Sequence, residues 1–143
     1  MKIYFAGSIR GGRDDWALYR DIIGLLGEYG TVFTEHIGSS ELEITGEDLA
    51  DRDIHDRDLD WLRKADFLVA EVTTPSLGVG YEIAKATEWG KPVLCVFRTD
   101  RGKKLSAMIA GSDGVQVSTY KAVHDLAEVF AGFFKGAKSP VAS

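Results

Sequence analysis

The sequence has little of what builds disulfide frameworks and metal clusters. It contains one cysteine, three histidines and three prolines among 143 residues. A single cysteine, Cys95, excludes an intrachain disulfide and fits a reducing compartment. None of His36, His55 and His124 has a partner at metal-ligand spacing, and the HDRD run at residues 55–58 indicates a charged helix face. We therefore expect no metal and no cofactor.

A basic excess and long apolar runs are missing as well. The formal net charge is −5, whereas a general nucleic-acid-binding surface normally brings an excess of Lys and Arg. No apolar run reaches the length that spans a bilayer, and strand-like sequence begins at Lys2 without a signal-peptide layout. The expectation is a cytoplasmic protein that binds neither nucleic acid nor membrane.

What the sequence does have is a regular alternation of short apolar runs and amphipathic segments, which a chain of this length normally folds into one domain. The predicted strands cover residues 2–9, 31–37, 67–72, 93–97 and 115–119, and the predicted helices about 14–29, 47–65, 81–89, 105–109 and 121–134. This order predicts an α/β fold, a doubly wound five-stranded parallel sheet of flavodoxin-like or Rossmann-like type. The domain is expected to occupy residues 1–134, followed by a disordered tail over 135–143.

The most informative stretch is EVTTPSLGVGYE, residues 71–82. It predicts a strand end, a turn and a helix start, at the edge where open α/β sheets bind their ligands. Gly78 and Gly80 allow close backbone approach or a positive φ. Glu82 is predicted in the first helical turn, where the helix dipole keeps a carboxylate ionised at neutral pH. A carboxylate that only caps the helix explains the spacing equally well.

The SIRGGR run at residues 8–13 follows the first strand and is a candidate anion-binding turn. Backbone N–H groups of a Gly-rich turn that enters a helix bind anions, and Arg10 and Arg13 add charge suited to phosphate. The run is neither a P-loop nor a dinucleotide fingerprint. A flexible turn with two solvated arginines is the alternative.

Asp58 is a second candidate carboxylate. It shares a predicted helix face with four largely apolar residues, Ile54, Trp61, Leu62 and Ala65. A carboxylate on such a face is costly if nothing uses it, although a hydrogen bond to nearby backbone would also explain it. Tyr4 and Ser76 are weaker candidates, because a strand tyrosine is usually a core residue and serine is common in turns.

Five segments of the chain resemble the 2′-deoxynucleoside 5′-phosphate N-hydrolases of the nucleoside 2-deoxyribosyltransferase superfamily. In order along the chain, they are KIYFAGSIRGGR, TVFTEH, IHDRDLDWL, AEVTTPSLGVGYE and LSAMI. The resemblance covers residues 2 to about 134. It implies hydrolysis of the N-glycosidic bond of 2′-deoxynucleoside 5′-monophosphates, to free base and 2-deoxyribose 5-phosphate, through a glycosyl-enzyme intermediate. A ribonucleotide N-glycosidase of the CMP type, a nucleoside 2-deoxyribosyltransferase and a non-catalytic nucleotide-binding module remain alternatives.

The resemblance also implies roles for individual residues. Glu82 matches the nucleophile, Asp58 the acid that helps the base leave, and Tyr4 a tyrosine that orients the nucleophile. The positions that match phosphate-binding residues are Ser8, Ile9, Arg10, Gly11, Gly12, Ser76, Gly78 and Ser106. The serine at 106 matches one that the neighbouring subunit of a homodimer lends to the site. His36 and Trp61 match residues that line the base pocket.

Two carboxylates suit this chemistry, because glycosidic cleavage passes through an oxocarbenium-like state. Glu82 is expected to be ionised to meet the sugar cation. The apolar face around Asp58 is expected to favour its protonated form by desolvation, so that it can deliver a proton. A phosphate anchor supplies binding energy remote from the reacting bond.

Overall fold

The computed structural model describes residues 1–9, 12–35 and 49–141. Strands and helices alternate through these residues, as the sequence predicts. The strands are β1 (Lys2–Gly7), β2 (Thr31–Thr34), β3 (Phe67–Glu71), β4 (Val93–Arg98) and β5 (Gln116–Tyr120). The helices are α1 (Gly12–Leu26), α2 (Asp51–Lys64), α3 (Leu77–Glu88), α4 (Ala107–Ala110) and α5 (Leu126–Val141), with single 3₁₀ turns at Thr99–Arg101 and Val123–Asp125.

The five strands form one parallel sheet in the order β2-β1-β3-β4-β5. This is the flavodoxin-like order, in which the chain winds outward in both directions from the centre and ligands bind at the point of reversal. The register pairs Gly7 with Glu71, so the carboxyl ends of β1 and β3 lie side by side at that point. The predicted fold class is confirmed.

Helices cover both faces of the sheet. Ile3 and Phe5 belong to one core cluster, with side chains of α1 and α5, whereas Tyr4 and Ala6 belong to a second cluster with side chains of α2 and α3. This division explains why β1 is apolar at successive positions, since neighbouring strand residues point to opposite faces. It also places Tyr4 on the face that carries α2 and α3.

The ends of two helices differ from the sequence prediction. Helix α3 begins at Leu77 instead of near Tyr81, because the Ser76 hydroxyl caps it by accepting a hydrogen bond from the Val79 N–H at 3.3 Å. Helix α5 continues to Val141, into the segment that was expected to be disordered. Extending an existing helix needs no new nucleus, and alanine and lysine tolerate the helical state well.

The glycines of the central motif are helical. Gly78 and Gly80 lie inside α3, and among the residues described only Gly90 and Gly102 have a positive φ. The expectation of a positive φ in the motif is therefore wrong, whereas close approach of another group at Gly78 and Gly80 remains open. None of the helices in the described ranges has the length and apolar character needed to cross a membrane.

Candidate active site

A cavity of about 450 Å³ opens at the carboxyl ends of β1 and β3. We call it the central cavity; its described lining consists of Gly7, Ile9, Glu35, Asp51, Ile54, His55, Asp58, Leu59, Ser76, Leu77, Gly78, Val79, Tyr81 and Glu82. These residues come from the end of β1, the end of β2, helix α2 and the first half of α3. The cavity therefore lies at the reversal point of the sheet, where this type of fold binds ligands.

Glu82 reaches the floor of this cavity from α3. It is the sixth residue of the helix, and no acidic residue lies in the first turn, so the predicted position of Glu82 beside the helix dipole is wrong. The Tyr4 hydroxyl, on β1, donates a short hydrogen bond to Glu82 Oε2. This bond orients the carboxyl group of Glu82.

Burial changes the acidity of both partners. It raises the pKa of Glu82 from its usual 4.5 to about 7; the hydrogen bond from Tyr4 opposes the rise, and the charge of Glu35 adds to it. Burial, together with the Glu82 charge, also raises the pKa of Tyr4, which therefore stays protonated and donates. Burial therefore opposes the ionisation of Glu82 that the helix dipole was expected to favour.

Replacing Tyr4 with phenylalanine is expected to raise the pKa of Glu82 further. The variant loses a hydrogen bond to a carboxylate, a contribution of about 1.5–3 kcal/mol, which corresponds to about one to two pH units. Carbon-13 NMR of glutamate-labelled protein across pH 5–9 measures this directly. Tyr29→Phe is the matched control, because Tyr29 stacks on Phe134 in the other core cluster. An unchanged Glu82 titration in Tyr4→Phe would show that the hydrogen bond does not set its acidity.

Asp58 lines the same cavity from α2, where it and Leu62 are the buried residues of the helix. Its Oδ1 accepts from Arg57 Nε at 3.0 Å and lies 3.0 Å from Arg57 Nη2. The same guanidinium lies 4.6 Å from the Trp61 ring centroid. A cation at this distance stabilises the ionised carboxylate. The expected apolar environment is thus incomplete, since the structure supplies a counter-ion that the helix pattern did not reveal.

Residues after β1 and at the N-terminus of α3 lie along the same cavity. Ser8 is buried, Ile9 lines the cavity, and α1 begins at Gly12. Ser76 and Gly78 line the cavity at the start of α3, where backbone N–H groups of the first turn lack intrahelical acceptors. Two of the predicted phosphate-binding residues, Arg10 and Gly11, lie outside the described residues.

Residues 3–126 match the family described as nucleoside 2-deoxyribosyltransferase. The chain belongs to this family. Among its relatives, a 5-hydroxymethyl-dUMP N-hydrolase of Tetraodon nigroviridis is 58% identical over 115 residues, which cover 79% of this chain and 81% of the relative. A protein of the same name from Esox lucius is 49% identical over 142 residues, which cover 95% and 97% of the two chains. The resemblance found in the sequence motifs is confirmed.

Solved structures of the nucleoside 2-deoxyribosyltransferase fold superpose on this chain. The CMP N-glycosidase of Clostridium botulinum has a TM-score of 0.66 at 16% identity, with 93% of this chain and 99% of that chain covered. The 2-deoxyribosyltransferase of Bacillus psychrosaccharolyticus has a TM-score of 0.60 at 21% identity, with 89% and 90% covered. These likenesses establish the shared fold.

Two of the predicted site residues that the structure describes, Ser106 and Trp61, are not part of the described lining of the central cavity. Ser106 caps α4, its hydroxyl accepting from the Met108 N–H at 3.2 Å, and lines a separate groove. Trp61 packs against Phe33, with 6.4 Å between ring centroids, and is not among the described residues that line the cavity. His36 lies outside the described residues. The predicted residues that the cavity does bring together are Ile9, Asp58, Ser76, Gly78 and Glu82, with Tyr4 behind Glu82.

One buried carboxyl group that the sequence reasoning missed is Glu71, at the end of β3. It accepts hydrogen bonds from the Thr73 N–H and the Thr73 hydroxyl, both at 2.8 Å, and from the Tyr120 hydroxyl. The Thr73 hydroxyl oxygen accepts in turn from the Arg98 N–H at 2.8 Å. Burial raises the pKa of Glu71. This network ties the ends of β3, β4 and β5 together and fixes the turn that leads to Ser76.

His55 and Tyr81 also line the cavity, although the sequence indicated no more than a charged helix face and a helix start for them. In the part of the chain that the structure describes, no group of three or more His, Cys, Asp or Glu side chains is placed to hold a metal ion. The described lining offers carboxyl groups, hydroxyl groups, an imidazole and backbone amides. Such a set suits acid–base and nucleophilic chemistry.

Proposed function

We propose that this protein hydrolyses the N-glycosidic bond of 2′-deoxynucleoside 5′-monophosphates and releases the free base and 2-deoxyribose 5-phosphate. The observation that carries the proposal is one cavity that holds a half-buried carboxyl group, Glu82, and the N-terminus of a helix, α3. The first supplies a nucleophile and the second an anion site. The relatives named as 5-hydroxymethyl-dUMP N-hydrolases support this substrate class. The cytoplasmic location expected from the sequence stays a prediction.

In the first step, Glu82 Oε1 attacks the anomeric carbon of the sugar. A bond forms between that oxygen and the carbon, while the carbon–nitrogen bond breaks and its electron pair leaves with the base. Tyr4 holds Oε2 and thereby orients the carboxyl group. Asp58, whose carboxyl group contacts the Arg57 guanidinium, is placed to stabilise the developing sugar cation or to bind a sugar hydroxyl.

In the second step, water attacks the same carbon and the ester bond to Glu82 breaks. The products are 2-deoxyribose 5-phosphate and the free carboxylate, and the released proton goes to solvent or to the departed base. An acceptor base in place of water would instead give a new nucleotide. The hydrolysis rate is expected to rise with pH through the Glu82 pKa of about 7, because only the ionised form of Glu82 starts the cycle.

The phosphate is proposed to bind at the Ser8–Ile9 turn and at Ser76 and Gly78, completed by Arg10, Gly11 and Gly12. Ser76 and Gly78 line the same cavity as Glu82. Binding energy from the phosphate is then available to orient the sugar over the carboxylate. Nucleosides without the phosphate are expected to react far more slowly.

The proposal is tested by incubating the protein with 5-hydroxymethyl-dUMP, dGMP, GMP and CMP and separating the products by chromatography. Free base from the deoxynucleotides supports it. Base release from the ribonucleotides alone indicates the CMP-type activity instead. A new nucleotide formed after addition of a free acceptor base indicates a transferase. Intact substrates at high enzyme concentration, with binding retained, would leave a nucleotide-binding module.

We also propose that the protein is a homodimer that shares Ser106 across its interface. A groove of about 680 Å³ between α3 and α4 adjoins the central cavity, since Ser76, Leu77 and Val79 line both. In the isolated chain the Leu77 and Met108 side chains, which line the groove, are 97% and 82% exposed. Exposed apolar side chains of this size favour burial against a partner. A second copy seated in the groove would bring its own Ser106 to the N-terminus of α3.

Met108→Asp is expected to convert the dimer into monomers, because it places a charge in the proposed apolar interface. Sedimentation velocity measures the change, and the KM for nucleotide is expected to rise with it as the partner's serine is lost. Ala131→Asp is the matched control, since Ala131 is exposed on α5 outside the groove. Wild-type protein that sediments as a monomer at micromolar concentration contradicts the proposal.

A further inference from the structure

His55 and Tyr81 join the two helices that border the central cavity. His55 Nε2 lies 3.0 Å from the Tyr81 hydroxyl oxygen, and the two rings meet edge to face with 5.6 Å between their centroids. Both side chains line the cavity and are about half exposed. On α2, His55 lies one turn before Asp58; on α3, Tyr81 directly precedes Glu82. The pair is therefore close to both carboxylates without being engaged by either.

The hydrogen positions of the pair follow from its third member. His55 Nδ1 lies 2.9 Å from Asp56 Oδ1. An ionised carboxylate only accepts, so Nδ1 carries the hydrogen. In the neutral ring Nε2 then has a lone pair and accepts the hydrogen of the Tyr81 hydroxyl. The Tyr81 oxygen is left with lone pairs, which makes it an acceptor held in a fixed orientation at the cavity wall.

The position of the base follows from the proposed function, on which this inference rests. Phosphate at Ser76 and Gly78 and the anomeric carbon at Glu82 occupy one end and the floor of the cavity. The described wall that remains for the base includes apolar side chains, among them Ile54 and Leu59, and polar ones. The polar side chains there are His55 and Tyr81 and the carboxyl groups of Glu35 and Asp51. A flat heterocycle would lie against the apolar side chains, and its edge would face the pair.

We propose that Tyr81, oriented by His55, is a specificity-determining residue that accepts a hydrogen bond from a donor on the edge of the base. A pyrimidine with a hydroxymethyl group at carbon 5 offers such a donor, whereas thymine has a methyl group there. The pair therefore favours 5-hydroxymethyl-dUMP over dTMP. His55 is a positioning residue, because it acts by fixing the Tyr81 hydroxyl.

The test compares the two nucleotides at pH 8, where imidazole side chains are ordinarily neutral. Tyr81→Phe is expected to lower the ratio of kcat/KM for 5-hydroxymethyl-dUMP over dTMP about tenfold, as for one lost hydrogen bond. His55→Ala is expected to lower it less. His55→Gln is expected to restore most of it, since the glutamine carbonyl can accept from Tyr81. His124→Ala, which changes an exposed histidine outside the cavity, is the control.

A second readout does not depend on turnover. Dissociation constants of both nucleotides are measured by calorimetry in the Glu82→Gln background, with and without Tyr81→Phe. If the pair only holds α2 against α3, Tyr81→Phe lowers the affinity for both nucleotides together and leaves the ratio of the two dissociation constants unchanged. That result would overturn the inference. The inference is supported if the protein binds 5-hydroxymethyl-dUMP more tightly than dTMP and Tyr81→Phe removes this preference. This holds even if wild-type protein hydrolyses neither nucleotide, and in that case only the proposed function fails. Equal affinity of the Glu82→Gln protein for the two nucleotides overturns it as well.

Discussion

Glu82→Gln is expected to lower the hydrolysis of 5-hydroxymethyl-dUMP on the order of 10⁴-fold or more. Glutamine keeps the volume and can still accept a hydrogen bond from Tyr4, but its amide oxygen is not a nucleophile of useful strength. The covalent route is therefore closed, while the phosphate end of the cavity is unchanged. The KM or the dissociation constant for the nucleotide is expected to stay close to the wild-type value.

The measurement pairs turnover with the detection of the intermediate. Mass spectrometry of acid-quenched wild-type protein is expected to show an adduct with the mass of 2-deoxyribose 5-phosphate on the peptide that contains Glu82, and none in Glu82→Gln. Glu128→Gln, an exposed position on α5, controls for loss of a negative charge. Turnover that persists in Glu82→Gln within tenfold of the wild type would remove this residue from the mechanism.

The fold could be predicted from the sequence because the strong signals are local. Near-continuous apolar runs marked β1, β3 and β4, and these are the strands that the structure buries most completely. The burial of Asp58 beside Leu62 also follows from helical spacing. The start of α3 was missed because Gly78 and Gly80 have poor helix propensity, whereas the cap from Ser76 and tertiary packing outweigh that cost.

The acidity of the site could not be predicted in the same way, because its causes are distant in sequence. Tyr4 and Glu82 are 78 residues apart, and their contact depends on the strand order and on the face to which β1 turns Tyr4. Glu82 lines the cavity, as its place after β3 predicts, but it does not lie in the first turn of α3, so the predicted physical reason is incorrect. Desolvation, a property of the folded state, replaces the helix dipole as the main influence on Glu82.

The surroundings of Asp58 illustrate a second kind of limit. Arg57 is its neighbour in the chain, yet helical spacing places adjacent residues about 100° apart and so predicts no contact. The arginine side chain instead folds over Trp61 and returns to Asp58 Oδ1. Long side chains thus make contacts that periodicity does not encode, and Trp61 packs between the Arg57 guanidinium and Phe33.

The burial of Glu82 is expected to lower the stability of the fold as the pH rises. Its pKa moves from 4.5 to about 7 on folding, so between these values the folded chain keeps a proton that the unfolded chain has lost, and the free energy of unfolding falls. At 1.36 kcal/mol per pH unit the total loss in the free energy of unfolding is about 3 kcal/mol. The loss is complete above the folded pKa and absent below pH 4.5. Glutamine does not titrate, so Glu82→Gln is expected to gain about that much stability over the wild type between pH 4.5 and pH 8.

Guanidinium unfolding of both proteins at the two pH values measures the difference, in which Glu71 and other titrating groups cancel. If the free energies of unfolding of the two proteins change in parallel with pH, Glu82 is not desolvated in the folded protein. A difference of the expected sign would show that the carboxyl group of Glu82 lowers the stability of the fold, a cost that the inactive variant avoids.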